Sequence, residues 1–407
     1  MIRYVTFHAD PTEEQVAQSR ALFFEGISHF ENGRLEPARI CFEKCQALTP
    51  GRPSVLGNLG TTLFHLRRWE AAIPLLRQAT TVDPSLAEAW ACLGLANEAQ
   101  RQWQPAAEAL EKVLALSPQQ VPLWLTLGQV SLRLGNVGKA LQAFDRALQE
   151  DPGCAPAWSE RGSLMRELHR FEEAACCFEK ALALGGDPEL NGYYLASVRD
   201  GDTLTTPPRR YVEALFDDYA ADFQSHVVEA LGYRGFEVLL KPLLDTGKRY
   251  RHVLDLGCGT GLCGSLIAPQ ADTIDGVDVS SAMLEQARKL GVYRELIHAD
   301  LGEFLAATAL RLDLILAADV FIYVGDLAAV FRSVRRILEP GGCLAFTVEL
   351  GTKGQDIELL PSLRYAHSEI YIRRLADEAR FTSVRISEAP IRHDQTTPIM
   401  GLYIYLE

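Results

Sequence analysis

The sequence predicts two folds in series: an all-α solenoid of helical hairpins, then an α/β domain built on a mostly parallel sheet. Three observations carry this prediction. The first half aligns with itself at a shift of 34 residues. A polar stretch that ends in two prolines, Asp200 to Pro208, parts the halves. Beyond residue 252, short apolar runs alternate with helical patterns, as strands joined by crossover helices do.

At 407 residues the chain exceeds one ordinary core, and 48% hydrophobic with 23% charged residues is a soluble globular composition. No run reaches the ~18 apolar residues a bilayer span needs. The start, Met1 to His8, lacks the order of a secretory signal. A cytoplasmic protein without a membrane span is expected. The nine cysteines include Cys41 and Cys45 four apart and Cys176 beside Cys177, neither in a structural zinc spacing. They are expected to be reduced, buried and metal-free. A net charge of −13 gains nothing from phosphate electrostatics, which disfavours nucleic acid as a partner.

The repeat has five units, about 19–52, 53–86, 87–120, 121–154 and 155–188. Trp90, Trp124 and Trp158 keep the 34-residue step, with Leu56 and Leu22 before them. Gly26, Gly60, Gly94, Gly128 and Gly162 keep it too, as do Ala38, Ala72, Ala106, Ala140 and Ala174. The glycine and alanine let two helices approach. The bulky residue four after each alanine (Phe42, Leu76, Leu110, Phe144, Phe178) is expected to fill the space between hairpins. Pro50, Pro84, Pro118 and Pro152 end second helices, because proline cannot continue the ladder. Gly186 replaces the proline in the fifth unit, and Asn191 to Arg199 reads as a closing helix. These positions resemble the tetratricopeptide repeat (TPR) family. That resemblance implies a concave groove holding a protein or peptide. The competing reading is an array that only spaces or dimerises the domain behind it.

Predicted boundaries are an extension over 1–18, a solenoid over 19–199, a linker over 200–208 and a second domain over 209–407. Within the latter, 209–245 reads as a helical lid, with one helix from Tyr211 to Leu231 and another from Phe236 to Leu244. The α/β core occupies 252–407. Strands are expected at Val253–Leu256, Thr273–Val279, Glu295–Ala299, Leu312–Ala318 and Leu344–Glu349, and a closing pair at Ser383–Ser387 and Ile399–Leu406. Helices are expected from Leu262, over Ser280–Leu290 with a serine cap, over Asp326–Leu338 and over Ser368–Arg380.

The first strand runs into Gly257-Cys258-Gly259-Thr260-Gly261. Glycines turn tightly from strand to helix and bare the backbone to a ligand. The pattern Asp255-x-Gly257-x-Gly259-x-Gly261 is not the G-x-G-x-x-G of a pyrophosphate site. Its leading acid suits a ligand with an ammonium and a sulfonium. Asp278 ends the second strand, where a carboxylate can accept both ribose hydroxyls. Asp300 ends the third and can accept from an adenine amino group, flanked by Leu301.

Val253 to Gly261, Gly276 to Leu284 and Pro340-Gly341-Gly342 together resemble the class I S-adenosylmethionine-dependent methyltransferases, with their Rossmann-like fold and closing antiparallel strand. The layout, with Tyr211–Phe223, Ala318–Leu327 and Arg364–Ser368, is similar to bacterial methyltransferases that carry TPR repeats. The resemblance implies S-adenosyl-L-methionine as cofactor and leaves the acceptor, small molecule or protein, open. It implies that Gly257, Gly259 and Gly261 line the methionine part and that Asp255 holds its amino group. It assigns Asp278 to the ribose, Asp300 and Leu301 to adenine, and Met283 to the ribose or adenine. Tyr219 and Phe223 would close over the cofactor. Arg380-Phe381 departs from the family's Gly-Phe, which should affect the local turn alone.

Catalytic candidates are Asp319 and Tyr323, which follow the fourth strand, and His367, which can titrate near neutrality. Each has a structural alternative: a loop hydrogen bond for Asp319, packing for Tyr323 and a helix-start neighbour for His367. Arg364 and Tyr365 would bind an anionic or planar acceptor, and Glu349 would wall the pocket. His226 would sit on the lid, and His298 reads as strand packing. The leading expectation is methyl transfer with partner recruitment by the repeats. The alternative is a TPR scaffold whose cofactor-binding domain is not catalytic.

Overall fold

The computed structural model describes residues 11–199, 204, 206–219, 233–351, 353–394 and 397–407. They form two units. The first runs to Leu168 and takes in Cys176–Gly186, and the second takes His169–Ala175 and the chain from Asp187.

Paired helices build the repeat: α1 (Glu13–Glu31) with α2 (Leu35–Leu48), α3 (Pro53–His65) with α4 (Trp69–Val82), and α5 (Ala87–Ala99) with α6 (Trp103–Leu116). The pairs α7 (Val121–Arg133) with α8 (Val137–Glu150) and α9 (Ala155–Glu167) with α10 (Phe171–Ala183) complete the five. The periodic glycine exists because of the bulky residue opposite. A Cβ on Gly128 would stand 2.2 Å from Phe144 Cε1, closer than atoms pack. The proline has a second task that the sequence did not reveal. Trp90, Trp124 and Trp158 donate their indole Nε1–H to the carbonyls of Pro84, Pro118 and Pro152 at 3.0, 2.7 and 3.0 Å. Each bond ties the start of one hairpin to the turn before it, so tryptophan and proline share one period.

Helix α11 (Pro188–Val198), read from sequence as a cap on the array, groups with the second unit. Tyr193 is fully buried in a cluster with Leu359, Leu363 and Tyr365, and its hydroxyl donates to Leu363 O at 2.8 Å.

The second unit centres on parallel strands β1 (Tyr250–Leu256), β2 (Ala271–Asp278), β3 (Glu295–His298), β4 (Leu312–Ala317) and β5 (Leu338–Leu350), in the order β3-β2-β1-β4-β5. Helices α12 (Arg209–Tyr219) and α13 (Gly235–Leu244) precede the sheet. Helices α14 (Leu262–Ile267), α15 (Ser281–Arg288), α16 (Leu301–Ala307), α17 (Ala328–Ile337) and α18 (Glu369–Glu378) fill the crossovers. Strand β9 (Thr397–Leu406) runs antiparallel to β5, and β8 (Val384–Asp394) antiparallel to β9. Successive residues at the carboxyl halves of β1 and β4 are buried because both faces are covered. Leu254, Ile315 and Ala317 join one core with α17 and α18, while Val253, Leu314 and Leu316 join the other with α13 and α14.

Two differences from the sequence reading have local causes. Strand β5 begins at Leu338 and passes through Pro340-Gly341-Gly342, absorbing them as a register shift opposite Leu312 to Leu314. The short pair β6 (Ile357–Leu359) and β7 (Tyr365–His367) occupies a stretch read as loop, with β7 parallel to the end of β5. Three residues carry too little periodicity to announce a strand. Arg380 adopts φ +59, the left-handed conformation that glycine would take at a helix end. Of the predicted lid helix, Arg209–Tyr219 is helical, and Phe223 and His226 lie outside the described residues.

Candidate active site at the strand ends

One cavity of about 590 Å³ opens at the carboxyl ends of β1, β2 and β4, within the usual range for small-molecule sites. Its lining includes Asp255, Gly257, Gly259, Asp278, Met283, Asp300, Leu301, Asp319 and Tyr323. Gly261 and His367 are not part of it.

Gly257 and Gly259 hold φ +61 and +53, and a Cβ on Gly257 would meet Val320 Cγ2 at 2.5 Å. Gly259 would carry its Cβ into open space, with nothing among the described residues within 4 Å, so bare backbone faces the cavity. Gly261, at φ +94, starts α14 instead, and Leu290 Cδ1 stands 2.5 Å from where its Cβ would be. It shapes the loop without lining the cavity, which corrects the expectation of direct contact.

Asp278 is nine-tenths buried, and backbone amides orient it. Gly259 N–H donates to Oδ2 at 2.8 Å and Ser280 N–H to Oδ1 at 2.9 Å. With the Val279 amide bonding the carboxyl as well, one lone pair is left for a hydroxyl. Burial raises its pKa, against the pull of these amides. Ser280 caps α15, accepting from Met283 N, and its hydroxyl donates to Asp217 Oδ1 on α12 at 2.6 Å. That bond brings Val212, Leu215 and Phe216 of α12 to the cavity wall. Tyr219 ends α12, but its side chain lies outside the described residues.

Asp255 is fully buried. Its Oδ2 accepts from Tyr293 Oη–H at 2.7 Å and from Gly264 N–H at 3.1 Å. Burial outweighs both bonds and lifts its pKa to about 7. Asp300 caps α16, its Oδ1 accepting from Gly302 and Glu303 amides at 2.8 and 3.0 Å. His298, read as strand packing, bonds the Val279 carbonyl through Nε2 at 2.9 Å.

At the other end of the cavity, Asp319 takes φ +59, a strained conformation for a residue with a side chain. Its amide donates to Thr347 Oγ1 at 2.8 Å. Arg392, on β8, donates through Nη1 to Asp319 Oδ1 at 3.0 Å and through Nη2 to Glu349 Oε2 at 2.6 Å. Glu349 therefore backs the wall as a buried ion-pair partner and does not line it. Tyr323 stacks edge-on against Phe216, ring centroids 5.2 Å apart, and accepts from Arg364 Nε at 3.4 Å. Arg364 and Arg392 both line the cavity. Sequence reasoning missed Arg392, which has no motif around it.

His367 is a correction. It is fully buried in β7, and Nε2 donates to the Gly325 carbonyl at 2.8 Å. Burial drops its pKa to about 4, and the ring stacks on Tyr371 at 5.8 Å. It supports the loop after β4 from behind. Tyr365, expected to meet an acceptor, is buried in the Tyr193 cluster instead.

The sheet order, the glycine loop and the acids at the ends of β1, β2 and β3 define a class I methyltransferase fold. Comparison agrees. Residues 253–342 match the methyltransferase domain model, and 58–121 and 98–168 match tetratricopeptide repeat models. The chain joins N-terminal tetratricopeptide repeats to a methyltransferase domain. It is 35% identical over 144 residues to malonyl-[acyl-carrier protein] O-methyltransferase of Legionella pneumophila subsp. pneumophila, covering 33% of this chain and 49% of the relative. It is 32% identical to aklanonic acid methyltransferase DauC of Streptomyces sp. (strain C5), covering 31% and 62%. The chain spans less than two thirds of the length of these relatives. The crystal structure of MamA aligns at 27% identity and TM-score 0.38, covering 39% of this chain and 94% of that one.

Proposed function

We propose that this chain transfers a methyl group from S-adenosyl-L-methionine to an acceptor held in the same cavity. The observation that carries the reading is Asp278, fixed by the Gly259 and Ser280 amides beside bare glycine backbone at the cavity wall. The residues fit such a cofactor. A carboxyl as buried as Asp255, with a pKa near 7, is a place where an incoming ammonium recovers the cost of burial. Asp278 would hold the ribose, Asp300 and Leu301 the adenine edge, and Met283 the nucleoside face.

The bound cofactor supplies a methyl on a sulfonium whose leaving group is a neutral thioether. The protein's share is then alignment in a dry pocket. Asp319 and Tyr323 wall the acceptor side, with Asp319 held by Arg392. The repeats would recruit a protein or peptide, in keeping with the use solenoids make of concave surfaces. The Legionella relative, named as an O-methyltransferase, favours an oxygen acceptor.

Calorimetric titration of the full chain with S-adenosylmethionine and S-adenosylhomocysteine, with NAD as control, tests the reading. Micromolar binding of both sulfur nucleosides and none of NAD is expected. Binding of neither removes the catalytic reading and leaves the repeats as the working part.

A further inference from the structure

Arg364 is the one guanidinium in the cavity wall that no carboxylate claims among the described residues. Its neighbour Arg392 is shared between Asp319 and Glu349. Arg209, also in the wall, pairs with Glu213 and Glu303. Among the described residues Arg364 meets only the Tyr323 hydroxyl, at the long distance of 3.4 Å. Burial opposes its charge, but the nearby Tyr323, Asp319 and Glu349 outweigh that and hold it protonated. A partly buried guanidinium left with one weak neutral contact has donors to spare, and its planar fork matches a carboxylate.

The surroundings narrow the ligand. Phe216 and Tyr323 stack edge-on at this end, and Val320, Tyr233 and Phe236 line the same cavity. These walls suit an apolar body. Asp319 and Glu349 act on Arg364 through space and would repel a dianion more than a monoanion.

We propose that the acceptor is a carboxylic acid with an apolar body, and that Arg364 is the specificity residue that binds its carboxylate. This rests on the methyl-transfer reading above and adds the substrate class.

The test uses the full chain saturated with S-adenosylhomocysteine and four probes of equal chain length: octanoate, octanol, octylamine and octyl phosphate. Octanoate should bind at least tenfold more tightly than each of the others. Arg364→Gln should weaken octanoate tenfold or more, leave octanol unchanged, and keep the S-adenosylhomocysteine affinity of the unaltered chain. Arg364→Lys should recover part of the loss. Octanoate no tighter than octanol, octyl phosphate tighter than octanoate, or octanoate indifferent to Arg364→Gln would each overturn the proposal. The four-probe ranking on the unaltered chain stands even if a variant fails to fold. Failure of S-adenosylhomocysteine to bind would count against the cofactor reading instead, so the two failures are separable.

Discussion

Arg392 Nη1 lies 3.0 Å from Asp319 Oδ1, joining the last hairpin of the sheet to the loop that follows β4. The same guanidinium holds Glu349, itself buried at the end of β5. Asp319 is thereby presented in a left-handed backbone conformation with its carboxylate already engaged. In the proposed function its part is to shape and charge the acceptor wall.

Removing Arg392 should be costly. Arg392→Met leaves Glu349 buried and unpaired, and breaking a buried pair this way costs about 3–5 kcal/mol. Urea unfolding measures it. Adding Glu349→Gln should return part of the loss, and a double variant no better than the single one would show that the pair is not the source.

Asp278→Ala is expected to weaken S-adenosylhomocysteine binding by ~1–3 kcal/mol, the cost of leaving polar partners unmatched. It also strips an acceptor from the Gly259 and Ser280 amides. Calorimetry reads the change, and unaltered affinity takes Asp278 out of the ribose role.

In the proposed function Asp255 should make cofactor binding pH-dependent. Its folded pKa of about 7 lies above the ordinary 3.8, so the folded state holds the extra proton between those values. Its contribution to stability falls as pH rises through that window. Tyr293, Asp278, Cys258 and Cys263 are the ionisable neighbours. A bound ammonium favours the ionised form, so S-adenosylhomocysteine affinity should rise from about pH 5.5 to 7.5, below the ~7.7–8.0 where α-amino groups lose their proton. Asp255→Asn should flatten the profile. A flat profile in the unaltered chain rejects the contact.

His367→Gln separates support from chemistry. S-adenosylhomocysteine affinity should hold within about twofold, while stability drops by ~1–3 kcal/mol through the weakened bond to the Gly325 carbonyl. The folded pKa of about 4 lies below the ordinary 6.5, so the folded state binds fewer protons between them. The stabilising share of His367 is present above about pH 6.5 and is lost as pH falls through 4. Melting curves of the two proteins should therefore converge in acid.

Arg380 pays a conformational cost at φ +59 that glycine would not. A left-handed residue with a side chain costs roughly 1–2 kcal/mol, and glycine's greater freedom when unfolded returns about half of that. Arg380→Gly should raise stability by up to ~1 kcal/mol in denaturant unfolding. A decrease would mean that the side chain makes up for the strain.

The sequence by itself determined what depends on local spacing. The 34-residue step placed the hairpins, because the glycine and the bulky residue of each unit lie 16 apart and pack within one hairpin, as Gly128 and Phe144 do. The glycine loop and Asp278 were legible because strand, turn and acid follow in order along the chain. Tertiary structure alone decided which polar residues share a cavity. Arg392 reaches Asp319 across 73 residues, and nothing in its own neighbourhood announces the pair. His367 sits in a polar stretch that reads as loop, yet β7 docks on β5 and buries it. Periodicity reports which face of an element is apolar. It cannot report which faces of distant elements the sheet brings together, because that depends on strand order and register.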